Sequence, residues 1–578
     1  MAEKIRNIKR NNFLQLGLGL VIIVLLNVIG SHIYTRFDLT TEKRYTLAPA
    51  TKKLLKNLDD IVYFKVYLEG DFPSGFTRLS RSTHEMLDAF RAYSPEIEYE
   101  FIDPSKVGNA DQVSGFYEEL IHKGLNPTEL TVKTSSGTSQ RIIFPGALVT
   151  YKSRELPIQL LQSQVGQSPE TVLNNSIQEL EYNISSIIRE LTIQSKPAIA
   201  FIQGHGELSE PYVYNITEAL KNFYTVDRVR LDGKIYSLTK RDSAPDGKIL
   251  IKNKYKAIII AKPDSAFTEK DKFIIDQYIM RGGKVLWLVD PVLASMDSLE
   301  NANQTLGIAL NLNLDDQLFT YGVRLNPNLV LDLNCLPIRI VTGMIGNQPQ
   351  IEFLPWPFFP IITPTIHQPI VNNLSPVLMQ FVSSLDTVGA ERIKKTILLT
   401  TSRYSRILRT PVLISLNMLK EKPDMAEFNQ PNIPVAALLE GRFTSVFRNR
   451  VPPAILGNPL IGFMDESVAT QMIVVSDGDV IRNQLHLTQG YPLPLGYDQF
   501  TRQTFGNKDF IMNAVNYLCN DEGLITARAR EVKLRLLDKT RISDNKITWQ
   551  MVNILVPIFL VSIFSAVQYM LRKRKCTR

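Results

Sequence analysis

One long apolar run near each end constrains this chain more than anything between them. Phe13 to Ile33 (FLQLGLGLVIIVLLNVIGSHI) contains no Lys, Arg, Asp or Glu, and neither does Trp549 to Leu571 (WQMVNILVPIFLVSIFSAVQYML). At about 1.5 Å of rise per residue, either run as a helix would cover a hydrocarbon core of roughly 30 Å. Lys4, Arg6, Lys9 and Arg10 precede the first run; Arg572, Lys573, Arg574, Lys575 and Arg578 follow the second. The positive-inside rule then puts both termini in the cytoplasm and the long intervening region on the far side of the membrane. The first run is longer than an ordinary signal-peptide core and lacks a clear small-x-small cleavage site, which favours an uncleaved anchor. Pro557 predicts a kink in the second, of a kind membranes tolerate.

The formal charge of +8 belongs to these flanks, because the acidic and basic residues between them cancel. A basic pI of this origin describes two membrane edges, and nucleic acid is not expected as a partner. Three cysteines in 578 residues exclude a disulfide-framed scaffold and a cysteine-rich zinc module. Cys576 falls in the basic tail, so only Cys335 and Cys519 could meet outside, either bridged or as free core thiols.

The exterior reads as two α/β domains. Residues 1–34 are the basic flank and first membrane helix, and 35–168 form the smaller N-terminal domain. There Ile61 to Leu68, a helix from Phe76 to Tyr93 and the strand Ile97 to Ile102 make a βαβ unit. Antiparallel strands follow around Ser135-Ser136-Gly137. Residues 169–195 predict an amphipathic connecting helix, with Leu173, Ile177, Leu180, Ile184, Ile187, Ile188 and Leu191 on one stripe and a start at Ser168-Pro169-Glu170.

Residues 196–526 form the main domain. Its apolar strands Ala198–Ile202, Ala257–Ala261 and Val285–Val289 alternate with helices over Tyr212–Phe223 and Phe267–Arg281. That alternation implies a parallel sheet covered on both faces. The strand Gln471–Ser476 and the helix Phe510–Leu518 are expected to complete it. Between them lies a Pro-rich insertion. In Leu354-Pro355-Trp356-Pro357-Phe358-Phe359-Pro360 the proline density predicts neither helix nor central strand. A loop packed against the sheet is favoured there over an exposed aromatic patch. A polar linker, 527–548, leads to the second membrane helix and tail, 549–578.

Ligands in such sheets bind at the carboxyl ends of strands. The turn Gly204-His205-Gly206-Glu207 follows the first strand, and its glycines would let backbone approach a ligand. Asp290, Asp477 and Asp479 follow other strands and could line the same edge in a His/carboxylate group. The competing reading makes all of them turn formers and caps. There is no G-x-x-x-x-G-K-[ST] run for ATP, no H-E-x-x-H, and no G-x-S-x-G elbow. Six scattered histidines give no zinc constellation. No catalytic residue, metal or cofactor is assigned, and the chain is expected not to be an enzyme.

The run Gln178 to Phe223, QELEYNISSIIRELTIQSKPAIAFIQGHGELSEPYVYNITEALKNF, carries a resemblance. Val66 to Asp71 with Pro73 to Phe76, Ile97 to Pro104, and Arg281 to Pro291 (RGGKVLWLVDP) agree with it. The chain resembles the GldG family, the auxiliary (often called substrate-binding) component of the gliding-motility-associated ABC transporter of the Bacteroidetes. The main domain is similar to that family's amidotransferase-like α/β domain, without the catalytic thiol. The resemblance implies a permease and a separate cytoplasmic ATPase as partners, besides the lipid bilayer and an envelope partner. It implies a bacterial inner membrane, with the bulk in the periplasm. Two other functions stay open: an envelope hydrolase using His205, Glu207 and Asp290, and a structural link between inner membrane and motility machinery.

Overall fold

The computed structural model describes residues 14, 16–25, 27, 46–134, 137–162, 166–243, 249–346, 348–389, 391–420, 422–519, 523–529 and 545–576. Two compact units divide the chain at Arg530. Within the first apolar run, Leu16–Leu25 is an apolar helix; apart from Leu14 and Asn27, the rest of that span lies outside the described residues, as do Ser135 and Ser136. In the second unit Lys546–Cys576 is one continuous helix through Pro557. Its part Lys546–Leu571 is long and apolar enough to cross a membrane.

The first unit begins with a four-stranded sheet. Val62–Val66 pairs parallel with Ile97–Phe101 across the helix Ser74–Tyr93, closing the βαβ unit. On its other side it pairs antiparallel with Gly146–Tyr151, which pairs with Arg154–Gln159. Thr128–Thr134 and Gly137–Ile143 form a separate hairpin.

Helix α1, Pro169–Thr192, is capped by Ser168, whose side chain accepts from Thr171 N–H. Its stripe Leu173, Leu180, Ile184, Ile187, Ile188 and Leu191 is buried in the core of this first sheet. Glu181 accepts from Ala48 N–H and the Thr51 hydroxyl, tying down the short helix Pro49–Lys56. The roughly opposite face of α1, with Glu179, Tyr182 and Asn183, turns toward the main domain.

The main sheet has seven strands. These are β1 (Ala198–Gln203), β2 (Thr225–Arg230), β3 (Ala257–Ala261), β4 (Lys284–Leu288), β5 (Ile393–Thr400), β6 (Pro434–Gly441) and β7 (Thr470–Val475). Their spatial order is β5-β6-β7-β4-β3-β1-β2. From β2 to β7 all pairings are parallel, whereas β6 runs antiparallel to β7 and to β5. The sheet is therefore mixed, where the alternating pattern predicted a parallel one. Every residue of β3 is buried, which explains its unbroken apolar run.

Helices α2 (Tyr214–Lys221) and α4 (Asn507–Cys519) cover one face. Helix α3 (Glu269–Met280) covers the other, with Thr268 as its cap. Cys335 and Cys519 are both free.

The insertion corrects one expectation. Gln348–Ile362 is a single strand through the proline-dense stretch, lying between Cys335–Ile345 and Val377–Leu378. Pro337 stands opposite Pro355, so two of the missing donors fall at a single rung of the ladder. The carbonyls still work: Phe358 and Pro360 accept from Phe381 and Met379 N–H. Trp356 and Phe358 are fully buried in a core of their own, which excludes both the loop and the exposed patch.

Candidate functional site

The chain leaves β1, builds β2 on one side, and returns to place β3 on the other. Such a reversal opens a crevice at the carboxyl ends of the two middle strands, the usual ligand position in doubly wound sheets. Here the crevice is filled by the protein itself. Leu208 N–H donates to the Ala261 carbonyl, and Asp264 and Ser265 N–H both donate to the His205 carbonyl, at 2.9–3.0 Å. Gly204 and Gly206 have φ of +126° and +75°, and a Cβ on Gly206 would collide with the Asp264 carboxylate. The glycines thus serve close approach of two loops.

His205 is buried and stacked on Phe267 at 3.7 Å between ring centroids. Its Nδ1 faces Glu207 Oε1 at 3.2 Å and its Nε2 faces Asp271 Oδ2 at 3.3 Å. The His205 N–H donates to Glu207 Oε2 at 2.8 Å. Burial pushes the Glu207 carboxyl up, but the hydrogen bonds from His205 outweigh it and hold it below its ordinary value. Asp271 also accepts from Gly233 N–H and from the Thr268 hydroxyl. His205 therefore ties the loop after β1 to the start of α3, and Asp271 extends the link to the loop after β2.

Asp290, Asp477 and Asp479 form a second group on the same edge, around Lys262. Lys262 Nζ lies 3.0 Å from Asp290 and also pairs with Asp479, which Arg482 approaches at 3.4 Å. Lys262 has φ +54°, a strained value for a residue with a Cβ, at the end of β3. Asp477 accepts from Gln380 and Asp479 N–H, and Asp290 from Gly478 N–H. Burial raises the Asp477 carboxyl well above its ordinary value, with Asp290 and Asp479 adding to it. Burial raises Asp290 as well, against the pull of Lys262. Burial would lower Lys262, yet the surrounding carboxylates hold it above its ordinary range.

The single His/carboxylate group read from the sequence is thus two groups. His205 takes Glu207 and Asp271, while Asp290 and Asp477 take Lys262 and backbone amides. Among the described residues no group of His, Cys, Asp and Glu could hold a metal ion. Neither Asp271 nor Lys262 stands out in the sequence; Asp271 carries only a capping signal in Thr268-x-x-Asp271.

A third polar feature lies away from this edge. Residues Leu524–Ala529 form a short helix that packs on α1. Arg528 there donates to Glu179 Oε1 at 2.6 Å and to the Asn372 carbonyl at 3.2 Å, and lies over the Tyr182 ring at 5.2 Å. Asn372 in turn donates to the Arg528 carbonyl. Burial raises the Glu179 carboxyl, with Arg528 opposing the rise. The sequence placed Arg528 in a polar linker; the structure buries it.

Fold and sites define a doubly wound α/β domain with its switch-point crevice closed, joined to a smaller α/β domain, in a chain carrying a helix fit to cross a membrane. Residues 196–514 match the family described as ABC-type uncharacterized transport system, and the chain belongs to that family. Residues 41–150 match a domain of unknown function. An uncharacterized protein of Borreliella burgdorferi is 22% identical over 578 residues, covering 98% of this chain and 99% of that protein. Among solved structures, the mmIFT52 N-terminal domain aligns at TM-score 0.30 and 12% identity, over 56% of this chain and 97% of that one.

Proposed function

We propose that this protein is a non-ATPase auxiliary subunit of an ABC transporter, held in a bacterial inner membrane with both termini cytoplasmic and its bulk in the periplasm. Membership of the transport-system family over residues 196–514 carries the reading. The exposed apolar helix supports it, since a span of this length with a soluble region attached suits packing against a permease. The sequence has no P-loop, so a separate ATPase supplies the energy. The gliding-motility assignment rests on the GldG resemblance, as does the amidotransferase-like description of the main domain.

The edge of the main sheet favours a binding or structural role over catalysis. Both ring nitrogens of His205 face carboxylates, and the crevice where a substrate would lie holds the protein's own loops. Affinity isolation of the full-length protein from its native membrane tests the proposal. An ATPase and a permease in fixed ratio are expected; recovery of the chain alone, or with envelope proteins only, would sink it. A His205→Ala, Glu207→Gln double variant that assembles normally but loses function would revive the hydrolase.

A further inference from the structure

The membrane-fit helix Lys546–Cys576 is exposed along all of Trp549–Leu571, and its surface is not uniform. Besides Trp549 and Tyr569 at the two ends, the run holds five polar side chains: Gln550, Asn553, Ser562, Ser565 and Gln568. At 100° per residue, all five and Pro557 fall within one arc of about 180°. The opposite half, through Val552, Val556, Phe559, Ile563 and Val567, carries no polar group apart from Trp549 at its outer end. That half suits lipid; the polar half does not.

Pro557 sharpens the contrast. Lacking an N–H, it leaves the carbonyl of Asn553, one turn earlier, without its helical donor. Asn553 stands seven positions from Leu560, the midpoint of the run, hence about 10 Å from the centre of a core roughly 30 Å thick. A serine hydroxyl can donate to a carbonyl of its own helix. The Asn553 side-chain oxygen has no such recourse, because the N–H groups of the helix interior are already taken. Two acceptors at one level, one backbone and one side-chain, therefore need donors that hydrocarbon does not supply. Neighbouring helices answer intramembrane polar groups in this way.

The breadth of the polar half identifies the kind of neighbour. The seam between two paired helices is narrow, whereas an arc wider than about 100° is what a helix presents to a core of several elements. One further copy of this helix would cover only part of the arc, and a groove between helices of a multispanning protein would cover it all.

We infer that the polar half of this helix seats in a groove between helices of the permease, with the Asn553 side chain and carbonyl accepting hydrogen bonds there and the Val556 face toward lipid. The inference rests on the transporter reading and adds to it the surface through which the two chains meet.

The test is photo-crosslinking of the full-length protein in its native membrane. Benzoylphenylalanine replaces Ile554 or Val561 on the polar half, and Val556 or Ile563 on the other, and mass spectrometry identifies the adducts. Adducts with a multispanning permease are expected from Ile554 and Val561 at least tenfold above those from Val556 and Ile563. Asn553→Leu keeps the span apolar and should lower recovery of the permease at least threefold, whereas Asn553→Gln should retain most of it. Equal adducts from both halves, adducts only with lipid, with this chain itself or with a second copy, or unchanged recovery in Asn553→Leu would overturn the inference. Where the wild type still retains ATPase and permease, such a result leaves the transporter reading intact. Absence of both partners from the wild type removes that reading and this inference with it.

Discussion

Replacing Arg528 by Met should loosen the packing of α1 against the main domain. The side chains of Arg528 and Glu179 are only 6% and 7% exposed, and their contact is 2.6 Å. Removing one member of a buried pair leaves an uncompensated charge and costs about 3–5 kcal/mol. At 1.36 kcal/mol per decade, that is about a hundredfold or more in a local opening equilibrium. Hydrogen exchange of the 172–192 segment, followed by mass spectrometry on the full chain, reads this opening directly. The pH dependence supplies the sign. Glu179 already sits above its ordinary carboxyl value through burial, with Arg528 pulling it down. Without Arg528 it rises further, so the folded state binds the proton more tightly than the unfolded one. The variant then loses stability as pH rises through the folded-state value and regains it on acidification. Relative to wild type at each pH, protection should be worse at pH 8 than at pH 5. Glu179→Gln should relieve part of the defect in the double variant. Unchanged exchange in Arg528→Met, or an equal deficit at both pH values, would refute the argument.

Lys262→Met removes the cation between Asp290 and Asp479, beside Asp477. It should cost about 3–5 kcal/mol at neutral pH, and urea midpoints should recover toward pH 5 as the raised Asp477 and Asp290 carboxyls take up protons. Gly206→Ala places a Cβ at φ +75° against Asp264. It should destabilise by at least about 1–3 kcal/mol, with faster exchange in the 204–208 loop; a neutral effect would mean that the two loops do not meet as described. Trp356→Ala empties the centre of the insertion's core and should lower stability by about 3–5 kcal/mol. An exposed loop tryptophan would instead show little change and a red-shifted emission in the wild type.

What could be read in the sequence was what periodicity encodes locally. The βαβ unit at residues 62–101, the capped helix α1 and the buried strand β3 follow from spacing, because burial repeats with the period of each element. The turn at His205 falls at the expected strand edge for the same reason. Its partners were not legible: Asp271 is 66 positions away, and nothing local pairs Asp290 with Lys262 rather than with His205. The proline-dense strand went the other way. Proline's intrinsic penalty is real, but the register sets Pro337 against Pro355, and a neighbouring core buries Trp356 and Phe358.

By itself the sequence determined the membrane-fit apolar helix near the C-terminus, the absence of a P-loop and the α/β alternation, each a property of consecutive residues. Tertiary structure alone decided that β5 and β6 join the main sheet, that the switch-point crevice is closed, and that Arg528 meets Glu179 across 349 positions. The reason is physical. Hydrophobic periodicity is written along the chain, whereas the pairing of a buried charge depends on which distant segment the folded core brings to it.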